Sequence, residues 1–212
     1  MTNALFPANA APIKLYGLAL SGHTHRVRLM LSLLDLPYEE IVVDAANRAH
    51  KTPDYLAKHP FGQVPLLDDN GTVLWDSNAI LIYLAGTYDA KNIWLPKDPL
   101  AAAKVQQWLS VAAGPIFNGP CVARLVKLFN APYDPDKAIE SAHTTLAIMD
   151  DYLQDKAFLC AERPTLADIA CYSYIAHAPE GGVDLSAYSS LKNWLAKIEA
   201  LPRFIPMQST KM

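Results

Sequence analysis

Val27, Met30, Leu31 and Leu34 recur at i, i+3, i+4 and i+7, the spacing that lines apolar side chains along one helix face. It predicts a helix from about Thr24, with Arg26, Arg28, Ser32 and Asp35 on the other faces. Leu36-Pro37 stops it. Ahead of it, Ile13 to Leu18 reads as a short strand ending near Gly17, and behind it Glu39 to Val43 reads as a second. Strand, helix, strand implies a right-handed parallel crossover. Val64-Pro65 opens another strand, Asp69-Asn70-Gly71 turns, and Thr72 to Trp75 returns antiparallel. Ile80, Tyr83, Leu84 and Thr87 then predict a helix behind Asp76-Ser77, a polar pair suited to capping it.

The second half follows different rules and carries no convincing strand. Ala90 to Pro99 reads as a linker ending in an Asp98 cap, with Pro99 at the first helical position. Helical stripes follow: Val105, Trp108, Leu109, Ala112; then Val122, Leu125, Val126, Phe129; then Ile139, Ala142, Leu146, Met149, Leu153. Thr165 and Asp168 match a capping box with Asp in the place of Glu or Gln, before a helix apolar nearly all round. Such a helix belongs at the centre of a bundle. Leu191, Trp194, Leu195 and Ile198 mark the last one. The expected fold class is therefore α/β plus all-α. A thioredoxin-like βαβ-ββα domain over residues 12–89 precedes an all-helical domain over 98–212.

Composition narrows the function. Hydrophobic residues make up 51% and charged residues 18% of the 212, enough for a well-packed core. A net charge of −3 with scattered basic residues leaves no electrostatic footprint for nucleic acid. No apolar run approaches the ~20 residues that span a bilayer, so no membrane role is expected. Residues 1–12 lack a basic, then apolar, leader pattern and read as a frayed arm. Cys121, Cys160 and Cys171 form no Cys-x-x-Cys and no cluster with metal spacing, which suggests three reduced thiols and no metal.

Chemistry concentrates at three places. A proline held cis at 65 would turn the backbone of Val64 outward, free to pair with a peptide-like ligand. Asp76 and Ser77 stand at a helix start, where they can cap or meet a ligand. The segment Leu18 to Val27 runs into the N-terminus of the first helix, where free N–H groups and the dipole favour an anion. Together these suit a small peptide with acidic ends.

Val-Pro followed some ten residues later by an acidic residue and Ser resembles the glutathione site of the cytosolic glutathione transferases. The two-domain order and the capping box at Thr165 and Asp168 extend that resemblance over most of the chain. Ser21-Gly22-His23-Thr24-His25-Arg26-Val27 is similar to the Ser-x-x-Thr-x-Arg-Val loop of serine-type members, phi- and theta-like and bacterial-like. The resemblance implies that Ser21 donates a hydrogen bond to the glutathione sulfur, with His23 as the rival donor or base. It implies that His50 and Lys51 hold the glycine carboxylate, with Gln63 adding a contact. Asp76 would meet the γ-glutamyl amine, with a shorter arm than the commoner Glu, and Ser77 the carboxylate. No cysteine occupies the first loop, which argues against the cysteine-type branch. The electrophile pocket is expected between the domains, near Leu18 or Leu20 and among Trp108, Phe117, Asn118, Cys121 and Arg124. The implied protein is a cytoplasmic homodimer that uses glutathione as co-substrate against a hydrophobic electrophile. A glutathione-dependent peroxidase or disulfide reductase on the same scaffold, or a non-catalytic binding module, are the alternatives.

Overall fold

The computed structural model describes residues 11–210, so most of the frayed arm expected over 1–12 lies outside the described residues. Two compact units emerge. The first ends at Asn92 and takes back Pro202–Gln208, and the second holds Ile93–Leu201 with the residues from Ser209 onward. That return of a C-terminal segment has no counterpart in the sequence expectation.

In the first unit, β1 (Ile13–Gly17), α1 (Gly22–Leu33) and β2 (Tyr38–Val42) form the parallel crossover. A short helix α2 (Pro53–Leu56), then β3 (Leu66–Asp69), β4 (Thr72–Trp75) and α3 (Ser77–Tyr88) complete it. The sheet order is β2-β1-β3-β4, with β3 antiparallel to both neighbours and Leu15 opposite Leu67. Ile13, Leu15 and Gly17 are buried at period two, as one inward face of a strand requires. Gly17 has a packing reason: a Cβ there would sit 2.1 Å from the buried Thr24 side chain, so the strand end closes on the first turn of α1. Leu18 N–H donates to Thr24 Oγ1 at 3.3 Å across that approach.

The predicted stripe of α1 is buried, but so are Leu29, His25 and Arg26, the last only 1% exposed. The expectation of Arg26 on an outer face is therefore corrected. A second face of α1 is covered by the returning Pro202–Gln208 segment. There the Ile205 carbonyl meets His25 Nε2 at 2.9 Å, the Arg203 carbonyl accepts from Ser32 Oγ at 2.7 Å, and Arg203 pairs with Asp35. Asp69, buried at the end of β3, ties the sheet to α3 by accepting from Tyr83 (2.8 Å) and Tyr88 (2.5 Å). Burial first, and these carboxylate contacts second, raise both phenols above their ordinary value.

The second unit is helical: α4 (Pro99–Ala113), α5 (Val122–Phe129), α6 (Pro135–Leu153), α7 (Leu166–Ala176) and α8 (Ser189–Glu199). No strand lies beyond Trp75 among the described residues. Asp98 caps α4 through Ala101 N–H at 2.8 Å, with Pro99 in the first turn. The capping box at Thr165 is present, and α7 is buried from Leu166 to Ile175. Asp168 accepts from Leu159 N–H (2.9 Å), Thr165 N–H (2.8 Å), Thr165 Oγ1 (3.2 Å) and Trp194 Nε1 (2.9 Å). One carboxylate thus joins α7, α8 and the loop ahead of α7.

Between α4 and α5 the backbone stays helical through a π-type turn, Phe117–Cys121, that accommodates Pro120. Gly119 lets that turn approach α6: a Cβ would lie 2.7 Å from the Ala142 backbone. Of the stripe expected in α5, only Val122 is buried. Val122, Ala123 and Arg124 are buried, whereas Leu125 and Val126 are half-buried and Phe129 is 50% exposed. The turn Ala178–Gly181 sets this face, since Gly181 packs against the Arg124 backbone and Glu180 takes Arg124 Nε at 2.5 Å. His177 and Thr210 N–H complete the Glu180 carboxylate. Arg124 and Cys121, offered as pocket walls, belong to the helical core. The helical run Pro99–Phe129 is long and apolar enough, by length and composition only, to cross a bilayer, and half of its apolar 18-residue stretch is buried in the fold.

Candidate functional site

Ahead of β3 the Val64–Pro65 peptide is cis. The β3 ladder begins only at Leu66, opposite Tyr16, so Val64 lies outside it. Val64 and Pro65 form one wall of an open cavity, with Gln63 and His59 beside them. His23 from the first turn of α1 and Trp75, Asp76 and Ser77 from the β4–α3 junction form the rest. Of the residues named from sequence, six therefore converge: His23, Gln63, Val64, Pro65, Asp76 and Ser77.

Asp76 is exposed, has a positive φ of 70°, and caps α3 by accepting from Ala79 N–H at 2.9 Å. Its second carboxylate oxygen remains for an ammonium group. Ser77 is only 3% exposed. Its Oγ accepts from Arg26 Nη1 at 3.1 Å and lies 3.3 Å from His23 Nδ1. Arg26 Nη1 also donates to Asn78 Oδ1 at 2.9 Å. Desolvation, then the nearby Arg26 charge, hold His23 down at about 3, so its imidazole is neutral across the physiological range.

Ser21 sits otherwise. Its Oγ accepts from Thr24 N–H at 3.2 Å as the N-cap of α1, and it does not line the cavity. Its own hydroxyl proton is still available to give. His50 and Lys51 lie in a turn against Phe61-Gly62-Gln63, where a Cβ on Gly62 would meet the His50 carbonyl at 2.5 Å. Lys51 Nζ donates to the Phe61 carbonyl at 2.9 Å from an exposed position, and Tyr55 Oη donates to the Gln63 carbonyl at 2.8 Å. Buried His50 Nδ1 has no hydrogen-bond partner. Burial, with Lys51 and Arg48 nearby, lowers the His50 pKa.

Sequence reasoning passed over three contributors. Arg26 is the buried donor behind Ser77, and its place in the loop pattern was the only signal for it. His59, 2% exposed, stacks on Trp75 with centroids 5.2 Å apart, and Phe61 meets Trp75 edge-on at 5.4 Å. No periodic pattern marks His59, which lies in a loop outside helix and strand spacing, and Trp75 reads only as the end of the returning strand. The cysteines stand apart from this chemistry. Cys121 and Cys171 are buried, and desolvation followed by the Asp168 charge pushes the Cys160 thiol up to about 11. Among the described residues no group of three or more His, Cys, Asp or Glu could hold a metal ion. A second cavity, in the helical unit, is lined by Ala123, Val126, Pro135 and Ile139 with Lys127 as its one ionisable group, and lacks this convergence.

The mixed four-stranded unit carries this cavity at the first turn of α1, beside the cis Val64–Pro65 peptide, and a helical unit follows it in the chain. The family models agree: "Glutathione S-transferase, N-terminal domain" matches residues 11–86 and "Glutathione S-transferase, C-terminal domain" matches 108–202. Glutathione S-transferase 3 of Zea mays is 34% identical over 206 residues, covering 92% of each chain. A glutathione S-transferase structure from Pseudomonas fluorescens superposes with a TM-score of 0.87 at 35% identity, covering 94% of this chain and 100% of its own. A glutathione transferase homolog from Drosophila mojavensis, solved with bound glutathione, gives 0.81 at 28% identity, with 90% and 89% covered. The chain belongs to the glutathione S-transferase family.

Proposed function

We propose that this glutathione transferase holds glutathione along Val64, with the sulfur toward the first turn of α1 and the γ-glutamyl end at Asp76 and Ser77. The convergence of His23, Val64 and Ser77 on one cavity is the observation that carries the reading. Asp76 offers a free carboxylate oxygen to the amine, and the start of α3 offers backbone N–H groups to the carboxylate. His50 and Lys51 lie against Phe61 and Gly62, next to Gln63 in the chain, and the three would supply the cation and amide that a glycine carboxylate needs.

The chemistry is attack by the glutathione thiolate on a hydrophobic electrophile. A free thiol is about 3% ionised at pH 7, and lowering its pKa by two units makes it roughly 75% thiolate. That shift corresponds to about 2.7 kcal/mol of preferential stabilisation. One or two neutral donors near the N-terminus of α1, drawn from Ser21 and His23, can supply it. Proximity of the two bound partners contributes the rest.

We assign the protein to the cytoplasm and to a homodimer. The exposed Phe61 and Trp75, at 63% and 38%, offer a second copy an apolar face. The relatives favour transfer over peroxidase, disulfide-reductase or binding-only roles. Calorimetric titration with glutathione, paired with turnover of a model aryl halide and of an organic hydroperoxide, tests the reading. It expects binding and aryl conjugation. No heat at millimolar glutathione, or hydroperoxide turnover alone, contradicts it.

A further inference from the structure

His59 is a polar ring at the open cavity whose nitrogens the fold leaves unused. It is only 2% exposed, and Tyr55 and Trp75 stack on it with centroids 6.2 and 5.2 Å away. Those contacts hold the plane of the ring, and the residue lines the cavity with Gln63, Val64 and Asp76. Its Nδ1 is enclosed and has no hydrogen-bond partner. Nε2 is not among the enclosed atoms and bonds to no other described residue, so it is the nitrogen left for a ligand. Buried polar groups are normally paired, and an unused one at a cavity points to what the cavity takes.

Charge decides which part of a ligand that is. Burial, the largest influence, lowers the His59 pKa, so the ring is neutral at physiological pH and one nitrogen is bare. The residue's own carbonyl favours a proton on the ring, and within one histidine only Nδ1 comes near the backbone. That leaves Nε2 as the bare acceptor. The charged groups bearing on the ring are Lys51, whose Nζ donates to the Phe61 carbonyl, and Asp76. Asp76 spends one carboxylate oxygen on Ala79 N–H. An acceptor nitrogen beside a carboxylate suits a cation, and the amine is the one cationic group of glutathione. An ammonium carries three N–H donors, more than the remaining Asp76 oxygen satisfies. Resting on the glutathione site proposed above, we propose that His59 Nε2 accepts a hydrogen bond from the γ-glutamyl ammonium and shares that group with Asp76. His59 is then a binding residue for the amine, which compensates for the short Asp76 arm and leaves Ser77 and the start of α3 to the carboxylate.

The test is calorimetric titration with glutathione, with its amine-free analogue glutaryl-cysteinyl-glycine, and with γ-glutamylcysteine. His59→Phe keeps a stacking ring and removes both nitrogens. It is expected to weaken glutathione binding by about tenfold and to leave the affinity for the amine-free analogue unmoved. γ-Glutamylcysteine, which lacks the glycine, should show the full loss. Equal losses for glutathione and the amine-free analogue overturn the proposal, because His59 then acts through packing or on another part of the tripeptide. A loss that vanishes with γ-glutamylcysteine overturns it by moving the contact to the glycine end. Imidazole nitrogen shifts of the wild-type protein give a check independent of variant folding. His59 Nε2 should be bare and its signal should move when glutathione is added, whereas an Nε2–H ring or an unmoved signal overturns the assignment. Absence of glutathione binding to the wild type would sink the underlying reading as well. Binding that His59→Phe does not weaken sinks this inference alone.

Discussion

Ser77 and Asp168 are both buried polar side chains in the first turn of a helix, yet their surroundings differ in one respect. Asp168 meets four donors from three residues, and it lines neither cavity. Even so, burial outweighs those bonds and raises its carboxyl above the ordinary range. Ser77 meets Arg26 on one side and His23 on the other, and the second contact opens on a cavity. A closed set of bonds stabilises a fold. A set left open toward a cavity can be completed by a substrate.

The sharpest break of the comparison is thermodynamic. Asp168→Ala strands the Trp194 indole and two backbone N–H groups in the core, and should cost roughly 3–5 kcal/mol in urea unfolding. Ser77→Ala should cost only about 1 kcal/mol while reducing turnover. Equal stability losses would remove the distinction. Gly119→Ala comes next. Its Cβ would meet the α6 backbone at 2.7 Å, and backbone cannot swing aside, so a loss of ~1–3 kcal/mol is expected in thermal melts without change in glutathione affinity.

Lys51→Ala should weaken glutathione binding several-fold, on the order of 1 kcal/mol, and leave kcat near wild type. A drop in kcat at unchanged KM would move Lys51 from binding to chemistry. The smallest effect is a pH dependence. The folded pKa of His23 lies below its ordinary 6.5, so the unfolded chain takes up its proton first as pH falls. The stability due to its neutral state is full above pH 6.5 and drains away from there toward pH 3. His23→Asn, with nothing to titrate, should flatten that part of the stability profile in denaturant titrations at stepped pH. An unchanged slope would mean that the ring is solvated.

How much of this was legible follows from which forces act locally. The α7 capping box and the Leu191, Trp194, Leu195, Ile198 stripe were readable because each lies within a few turns of one helix. The site residues from Gln63 to Ser77 were readable because one short hairpin carries them. Arg26 was misplaced because a hydropathy pattern assigns an arginine to solvent, and its partners Ser77 and Asn78 lie some fifty residues away. The face of α5 was misread for the same reason: the turn that covers it, Ala178–Gly181, comes from another part of the chain. Nor could a periodic pattern show that Pro202–Gln208 returns to cover α1. Tertiary partners, rather than propensity, decided each of these.

A structure of the protein soaked with glutathione bears most directly on the open cavity. The tripeptide backbone should lie along Val64, with the sulfur within hydrogen-bonding distance of Ser21 or His23 and the γ-glutamyl group at the start of α3. A tripeptide seated elsewhere, or a sulfur turned away from the first turn of α1, would contradict the account.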